Sequence, residues 1–393
     1  MNGMTRFDYS SQDFGRSPLM FYYEVTLACD LVCKHCRASA QADPHPGELS
    51  TARATALIDQ AASFPRRPNL VLTGGDPLKR ADLFVLIRHA ADAGLHVALT
   101  PSATPLATFE AFQRAKEAGI RALGISLDGA EPEVHDAFRG WEGSFQRTLE
   151  MLDGARRLQL PVQVNTTITS RNFHQVDALA DLLVEQGIAI WSVFFLVPVG
   201  RGVEEQRISP EQYEMVFERL WHHAQRQPYG VKTTEAPHYR RFVLQRGGNP
   251  QAGPGSWGGS CTAIPGATVQ LSPQQRGWSG SCTAAPARAP LGVGDGKGVM
   301  FVSHTGEIFP AGFLPLCCGR FPAGSVVDVY QNHPTFVALR DTDKLKGRCG
   351  VCEYRRVCGG SRARAFALTD DFMQTDPDCS YVPGSGKNPI AGG

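Results

Sequence analysis

The chain has 393 residues, enough for one large domain and a smaller one. Lys and Arg total 39 against 38 Asp and Glu, a net charge of +1 without a basic stripe or acidic tail, so no electrostatic grip on nucleic acid or an anionic membrane surface is encoded. No apolar run approaches the ~20 residues that span a bilayer, and 1–16 lacks the basic-then-apolar order of a secretory signal.

From Leu19 to about Phe195, apolar β-type runs alternate with helical stretches. Strands are predicted at 20–25, 69–72, 96–99, 122–126, 162–168 and 190–195, and helices near 51–63, 82–93, 106–118, 145–159 and 176–186. Ser50 is placed to cap the first helix, and Gly94, Gly119 and Gly187 sit where C′ glycines belong. This α/β succession implies a parallel sheet with crossover helices, in the form of a partial (β/α)6 TIM-like barrel, with functional groups at the C-terminal ends of the strands. A further helix is expected near 210–225.

The predicted organisation is an N-terminal segment (1–18), the barrel (19–228), a linker (229–298), a small cysteine-bearing domain (299–382) and a disordered tail (383–393). Within the linker, Gly255-Ser-Trp257-Gly-Gly-Ser-Cys261-Thr-Ala nearly recurs as Gly277-Trp278-Ser-Gly-Ser-Cys282-Thr-Ala. This reads as a short duplication in a permissive loop, with a pair of ligand cysteines as the alternative.

The 11 cysteines are grouped rather than spread as a disulfide framework. In a chain without a signal, such grouping reads as metal ligation in a reducing compartment, hence the cytoplasm. Cys29, Cys33 and Cys36 follow the first predicted strand. Three thiolates on one short loop can hold three irons of a [4Fe–4S] cubane and leave the fourth open to a small molecule. A structural zinc site, which needs four ligands and usually takes two pairs, fits this triplet poorly.

The C-x3-C-x2-C spacing, with His35 before the last Cys, resembles the signature of the radical S-adenosylmethionine (SAM) enzymes. The resemblance continues in order along the barrel. Gly74-Gly75-Asp76-Pro77 resembles the family's Gly-Gly-Glu-Pro segment at the methionyl ammonium, its glycines allowing close backbone approach to the ligand. Ser126 and Asp128 lie in a segment like the one that contacts the ribose. Asn165 is placed to reach the nucleoside, and Val197, in 196–201, the adenine. His135-Asp-Ala-Phe-Arg139-Gly140 also recurs in this subgroup, with Arg139 either near the SAM carboxylate or substrate or solvated at a helix start.

Cys349-x2-Cys352-x5-Cys358 followed by Cys379 resembles the C-terminal SPASM extension, which holds auxiliary [4Fe–4S] clusters; four cysteines at this spacing would also suit zinc. Two ligand positions of that pattern are Ala311 and Arg362 here, which implies one auxiliary cluster rather than two. Cys317-Cys318 is a poor substitute, because adjacent cysteines rarely both bind one cluster.

The resemblance implies cleavage of SAM to a 5′-deoxyadenosyl radical that abstracts hydrogen from a small-molecule or peptide substrate, with a low-potential flavodoxin- or ferredoxin-type donor. The run from Phe21 through the cysteines to Ala40 resembles the haem-biosynthesis branch, including the alternative haem synthases that decarboxylate porphyrin propionates. Arg240-Arg241, Arg355-Arg356, Arg362 and Arg364 could pair with such carboxylates. A peptide maturase of the pyrroloquinoline quinone or mycofactocin type is the alternative, and a non-catalytic iron–sulfur carrier is a third reading. The latter would leave the SAM-contact segments idle.

Overall fold

The computed structural model of the protein describes residues 13–250 and 292–384. The near-repeat with Cys261 and Cys282 lies outside them, as do 1–12 and 385–393. The six predicted strands form as β1 (Met20–Thr26), β2 (Asn69–Gly74), β3 (His96–Leu99), β4 (Ala122–Ser126), β5 (Val162–Ile168) and β6 (Ile190–Phe195). They are parallel neighbours in chain order. Between them run α1 (Thr51–Ala62), α2 (Leu83–Asp92), α3 (Phe109–Ala118), α4 (Pro132–Arg139), α5 (Ser144–Arg157) and α6 (Val176–Gln186).

The caps explain where these helices start and stop. Ser50 accepts from the Arg53 N–H at α1, and Thr108 from the Ala111 N–H at α3. Gly187, with φ +64°, ends α6 in the left-handed conformation that disfavours a side chain. On the helix-facing side of the sheet Phe21, Tyr23 and Val25 are fully buried, each side chain contributing about 1.5–3 kcal/mol.

The other face differs. In β5 buried and half-buried positions alternate strictly, with Gln163, Asn165 and Thr167 half-buried. A parallel strand packed on both faces would read as continuously apolar, so this alternation marks a concave face that looks into a lumen.

The predicted linker does not start at 229. After α7 (Pro210–Arg226), β7 (Gly230–Thr234) pairs in parallel with β6 and is followed by α8 (His238–Gln245). The barrel sheet thus gains a seventh strand.

β8 (Val299–Val302) then joins the opposite edge, in parallel with β1, and β9 (Glu307–Phe309) and β10 (Gly319–Arg320) continue it antiparallel. The expected small domain therefore begins as an extension of the barrel sheet, which among the described residues has 10 strands in the order β10-β9-β8-β1-β2-β3-β4-β5-β6-β7. Short helices follow: α9 (Val326–Asn332), α10 (Pro334–Arg340), α11 (Gly347–Val351) and α12 (Arg362–Thr369).

Candidate active site

β1 delivers the chain at Thr26 into the loop of Cys29, Cys33 and Cys36. The first two cysteines are buried, and the third is half-buried against them. The loop is held chiefly by backbone contacts. Cys29 N–H donates to Gln41 O (2.7 Å), and Lys34 N–H to Phe138 O (2.9 Å). Arg201, beyond β6, donates from Nε to Cys33 O and from Nη1 to Ala40 O, each at 2.9 Å, and from its backbone N–H to Cys36 O at 3.0 Å. Gly200 has φ +55°, and a Cβ there would lie 2.3 Å from Arg37 O.

The glycines after β2 belong to the same construction. A Cβ on Gly74 would lie 2.3 Å from Thr26 O, and one on Gly75 2.4 Å from Ala28 O. Their bareness lets two strand ends touch; the close approach is to the cysteine loop.

Asp76 is fully buried. Its carboxylate accepts from Thr104 Oγ1 (2.6 Å), Leu78 N–H (3.2 Å) and Ser102 N–H (3.3 Å). These bonds shape the turn that carries buried Pro77. Ser102 in turn bonds Gly75 O at 2.8 Å and lies 3.6 Å from Cys29 Sγ.

Asp128 is also fully buried; it pairs with Arg139 and accepts from Thr167 N–H at 2.7 Å. Arg139 is in the last turn of α4, not at a helix start. It is largely buried, with Nη1 3.8 Å from Cys33 Sγ. Burial raises the Cys33 thiol pKa, and Arg139 opposes that shift.

His35 stacks on Phe138 at 4.3 Å, and burial lowers its pKa to about 4. Its Nδ1, together with Arg139 Nε and Arg201 Nη2, is buried without a hydrogen-bond partner among the described residues.

Ser126 and Asn165 are both half-buried and occupy paired positions on β4 and β5. Val197 is buried against Ala311 and Leu314.

Three sulfur donors on a shaped loop, flanked by two arginines and an unsatisfied imidazole nitrogen, fit an iron–sulfur cluster with negatively charged thiolates and a polar ligand beside it. Among the described residues, no three His, Cys, Asp or Glu side chains converge on a single-ion site. A cubane spreads its thiolates over separate irons and does not require such convergence.

A second thiol group gathers Cys349 from α11, Cys352, Cys358 and Cys379. Asp376 N–H and Arg362 Nη2 approach Cys349 Sγ at 3.4 and 3.7 Å, and Gly360 N–H approaches Cys358 Sγ at 3.4 Å. Burial, and after it the thiol of Cys379, pushes Cys358 up; burial and Asp376 push Cys379 up to about 12.

Arg362 also bonds Phe372 O and Gln374 O, so the position of an extra ligand in the SPASM pattern carries a cation. Ala311, the other such position, packs in an apolar cluster with Leu339 and Ala363. Cys318 is buried, the exposed Cys317 bonds Gly319 O, and Cys318 bonds Leu316 O.

Most of the arginines put forward as carboxylate readers are committed inside the fold. Arg241 pairs with buried Glu214, and Arg364 with Asp376 and Asp378. Arg240 holds Val357 O and Val293 O, and Arg355 pairs with Asp343. Sequence reasoning passed over Arg201 and Ser102. The only signal for Arg201 was its place just after a Pro-Val-Gly turn.

Residues 23–183 match the family model described as the Radical SAM superfamily. The AdoMet-dependent heme synthase of Methanosarcina barkeri is 37% identical over 368 residues, covering 94% of this chain and 98% of that protein. The protein of the same name from Nitratidesulfovibrio vulgaris is 38% identical over 365 residues, 92% of each chain. More distant is the PqqA peptide cyclase of Bradyrhizobium diazoefficiens, 26% identical over 95% of this chain and 89% of that one. Among solved structures, Streptococcus suis SuiB has the same fold with a TM-score of 0.66 at 14% identity, covering 93% of this chain and 78% of that one.

Proposed function

Since this chain belongs to the radical SAM superfamily, we propose that it oxidatively decarboxylates propionate side chains of an iron porphyrin, as a haem synthase. The observation that carries this reading is end-to-end similarity to the M. barkeri heme synthase, at 37% identity over 94% of the chain. The peptide-cyclase alternative rests on 26% identity. Cys29, Cys33 and Cys36 would hold a cluster supplying the one-electron reduction for SAM cleavage, and Cys349, Cys352, Cys358 and Cys379 would hold a second that could accept the electron from the oxidised substrate.

The chain's own residues do the rest. Arg139 and Arg201 offset thiolate charge beside Cys33, and His35, neutral near pH 7, offers a ring nitrogen to the bound cofactor. Ser126 and Asn165 face the nucleoside, Gly74 and Gly75 present backbone to the methionyl end, and Val197 stands at the adenine. The electron donor is a low-potential flavodoxin or ferredoxin, and the reducing cytoplasm suits so many free thiols. Among the described residues, no helix is long and apolar enough to cross a membrane.

The balance per propionate is one hydrogen atom to the radical, one carbon dioxide released, one electron passed on and one vinyl group formed. The test is anaerobic incubation of reconstituted protein with SAM, reductant and an iron porphyrin bearing four propionates. Loss of the elements of formic acid per side chain, with one 5′-deoxyadenosine each, is expected. Turnover of SAM with the porphyrin unchanged would exclude the substrate.

A further inference from the structure

The paired positions Ser126 and Asn165 continue along one line of hydrogen-bonded neighbours. Asn165 pairs with Ser192 on β6, and Ser192 with Lys232 on β7. Side chains on adjacent paired positions of a parallel sheet share a face. For β6 that face is fixed by its opposite: Trp191, Val193 and Phe195 are buried in the core on the helix side. Ser192 therefore points into the lumen, as its 3.1 Å contact with Thr234 Oγ1 agrees, and Lys232 points with it. At ~4.8 Å per strand, Lys232 is about 10 Å from Asn165 along the sheet, within reach of a molecule lying against the nucleoside.

Lys232 has a solvent-accessible side chain, yet the surrounding protein lowers its pKa from 10.5 to about 8, through desolvation. Its ammonium has no hydrogen-bond or ion-pair partner among the described residues. Glu235, three residues on, is engaged elsewhere. It accepts from Ser361 Oγ, and burial, with Asp295 beside it, raises its pKa well above the usual carboxylate range. A partly dehydrated cation without a counter-charge among the described residues is costly, and a carboxylate beside it offsets that cost. Arg240, Arg241, Arg355 and Arg364 are engaged by backbone carbonyls, Glu214, Asp343, Asp376 and Asp378, and Arg139 and Arg201, which each keep one nitrogen unpartnered among the described residues, stand at the cysteine loop.

We infer that Lys232 anchors a carboxylate of the substrate in the lumen, on the line of paired positions that starts at Ser126. The inference rests on the proposed porphyrin reading and specifies which residue reads the acid. SAM also carries a carboxylate. Its methionyl end belongs at the cysteine loop beyond β1, however, and β7 lies at the other edge of the strands β1 to β7.

The test titrates anaerobically reconstituted protein with the four-propionate iron porphyrin and with its tetramethyl ester, following the haem absorption band, and with SAM separately. Wild type should bind the acid more tightly than the ester. Lys232→Met should weaken acid binding about tenfold or more, with ester and SAM affinities unchanged, and Lys232→Arg should recover most of the loss.

Equal acid affinity in wild type and Lys232→Met overturns the anchor alone, as does a loss confined to SAM. Equal binding of acid and ester by wild type also overturns it. Wild type that binds neither porphyrin overturns the substrate reading and the anchor with it. Should Lys232→Met lose every ligand through misfolding, Lys232→Gln, which retains polarity, decides by the same criteria.

Discussion

Around Cys29, Cys33 and Cys36 most ties run to backbone: the carbonyls of Cys33, Cys36 and Ala40 accept from Arg201, and Gly75 and Gly200 are pressed against neighbouring carbonyls. Around Cys349, Cys352, Cys358 and Cys379 the ties are buried ion pairs: Arg364 with Asp376 and Asp378, and Arg241 with Glu214. The first loop is shaped by strand ends that the barrel fixes in any case. The second group, spread over 349–379, is gathered by charges that are useful only while every partner is present. One site is moulded chiefly by the sheet; the other is gathered by ion pairs whose members sit on α7, α8, α12 and the segment after it.

The largest expected effect separates the two groups. Cys33→Ala should abolish 5′-deoxyadenosine formation and remove about four of about eight irons per chain, with the distal irons retained. Iron and acid-labile sulfide analysis checks this; undiminished SAM cleavage would overturn the assignment of the loop.

Arg364→Met comes next. Leaving Asp376 buried without its cation should cost about 3–5 kcal/mol in urea unfolding and lose the distal irons while the proximal ones stay. Equal loss from both groups would show that the sites are not independently built.

A smaller effect follows from pH. Burial pushes the Asp376 carboxyl up, but Arg364 and His238 outweigh it and hold it well below the usual range. A lowered folded value stabilises above the unfolded value of about 3.9 and is lost as pH falls through the folded one. Urea unfolding below about pH 4 should therefore weaken in wild type and less so in Arg364→Met.

The cysteine spacings were legible because each group's composition leaves few uses other than metal binding, and β1 to β6 because apolar runs and cap glycines mark them. β7 was missed because Gly230–Thr234 offers one buried apolar side chain, Val231, and turns Lys232 into the lumen. The partners of the carboxylates were hidden for another reason. Asp76 in a Gly-Gly-Asp-Pro turn gives no sign of Thr104 and Ser102, the partners distant in sequence that the fold brings to it. Arg139 was ambiguous in the same way, because its partner Asp128 precedes α4 and the length of that helix was not visible in the pattern.

Glu24 on β1 bonds Arg37 of the cysteine loop at 2.9 Å and His304, just past β8, at 2.6 Å, while β8 pairs alongside. Arg37 and His304 are separated by most of the chain. At about 5–20 residues per second, the ribosome makes the three cysteines roughly 15–50 seconds before the residues that complete their surroundings. During that interval the nascent chain carries reactive thiols in an unfinished pocket. Assembly of the site is thus timed by the C-terminal half of the chain, and a truncation before β8 would leave the signature cysteines intact in a barrel missing one of its walls.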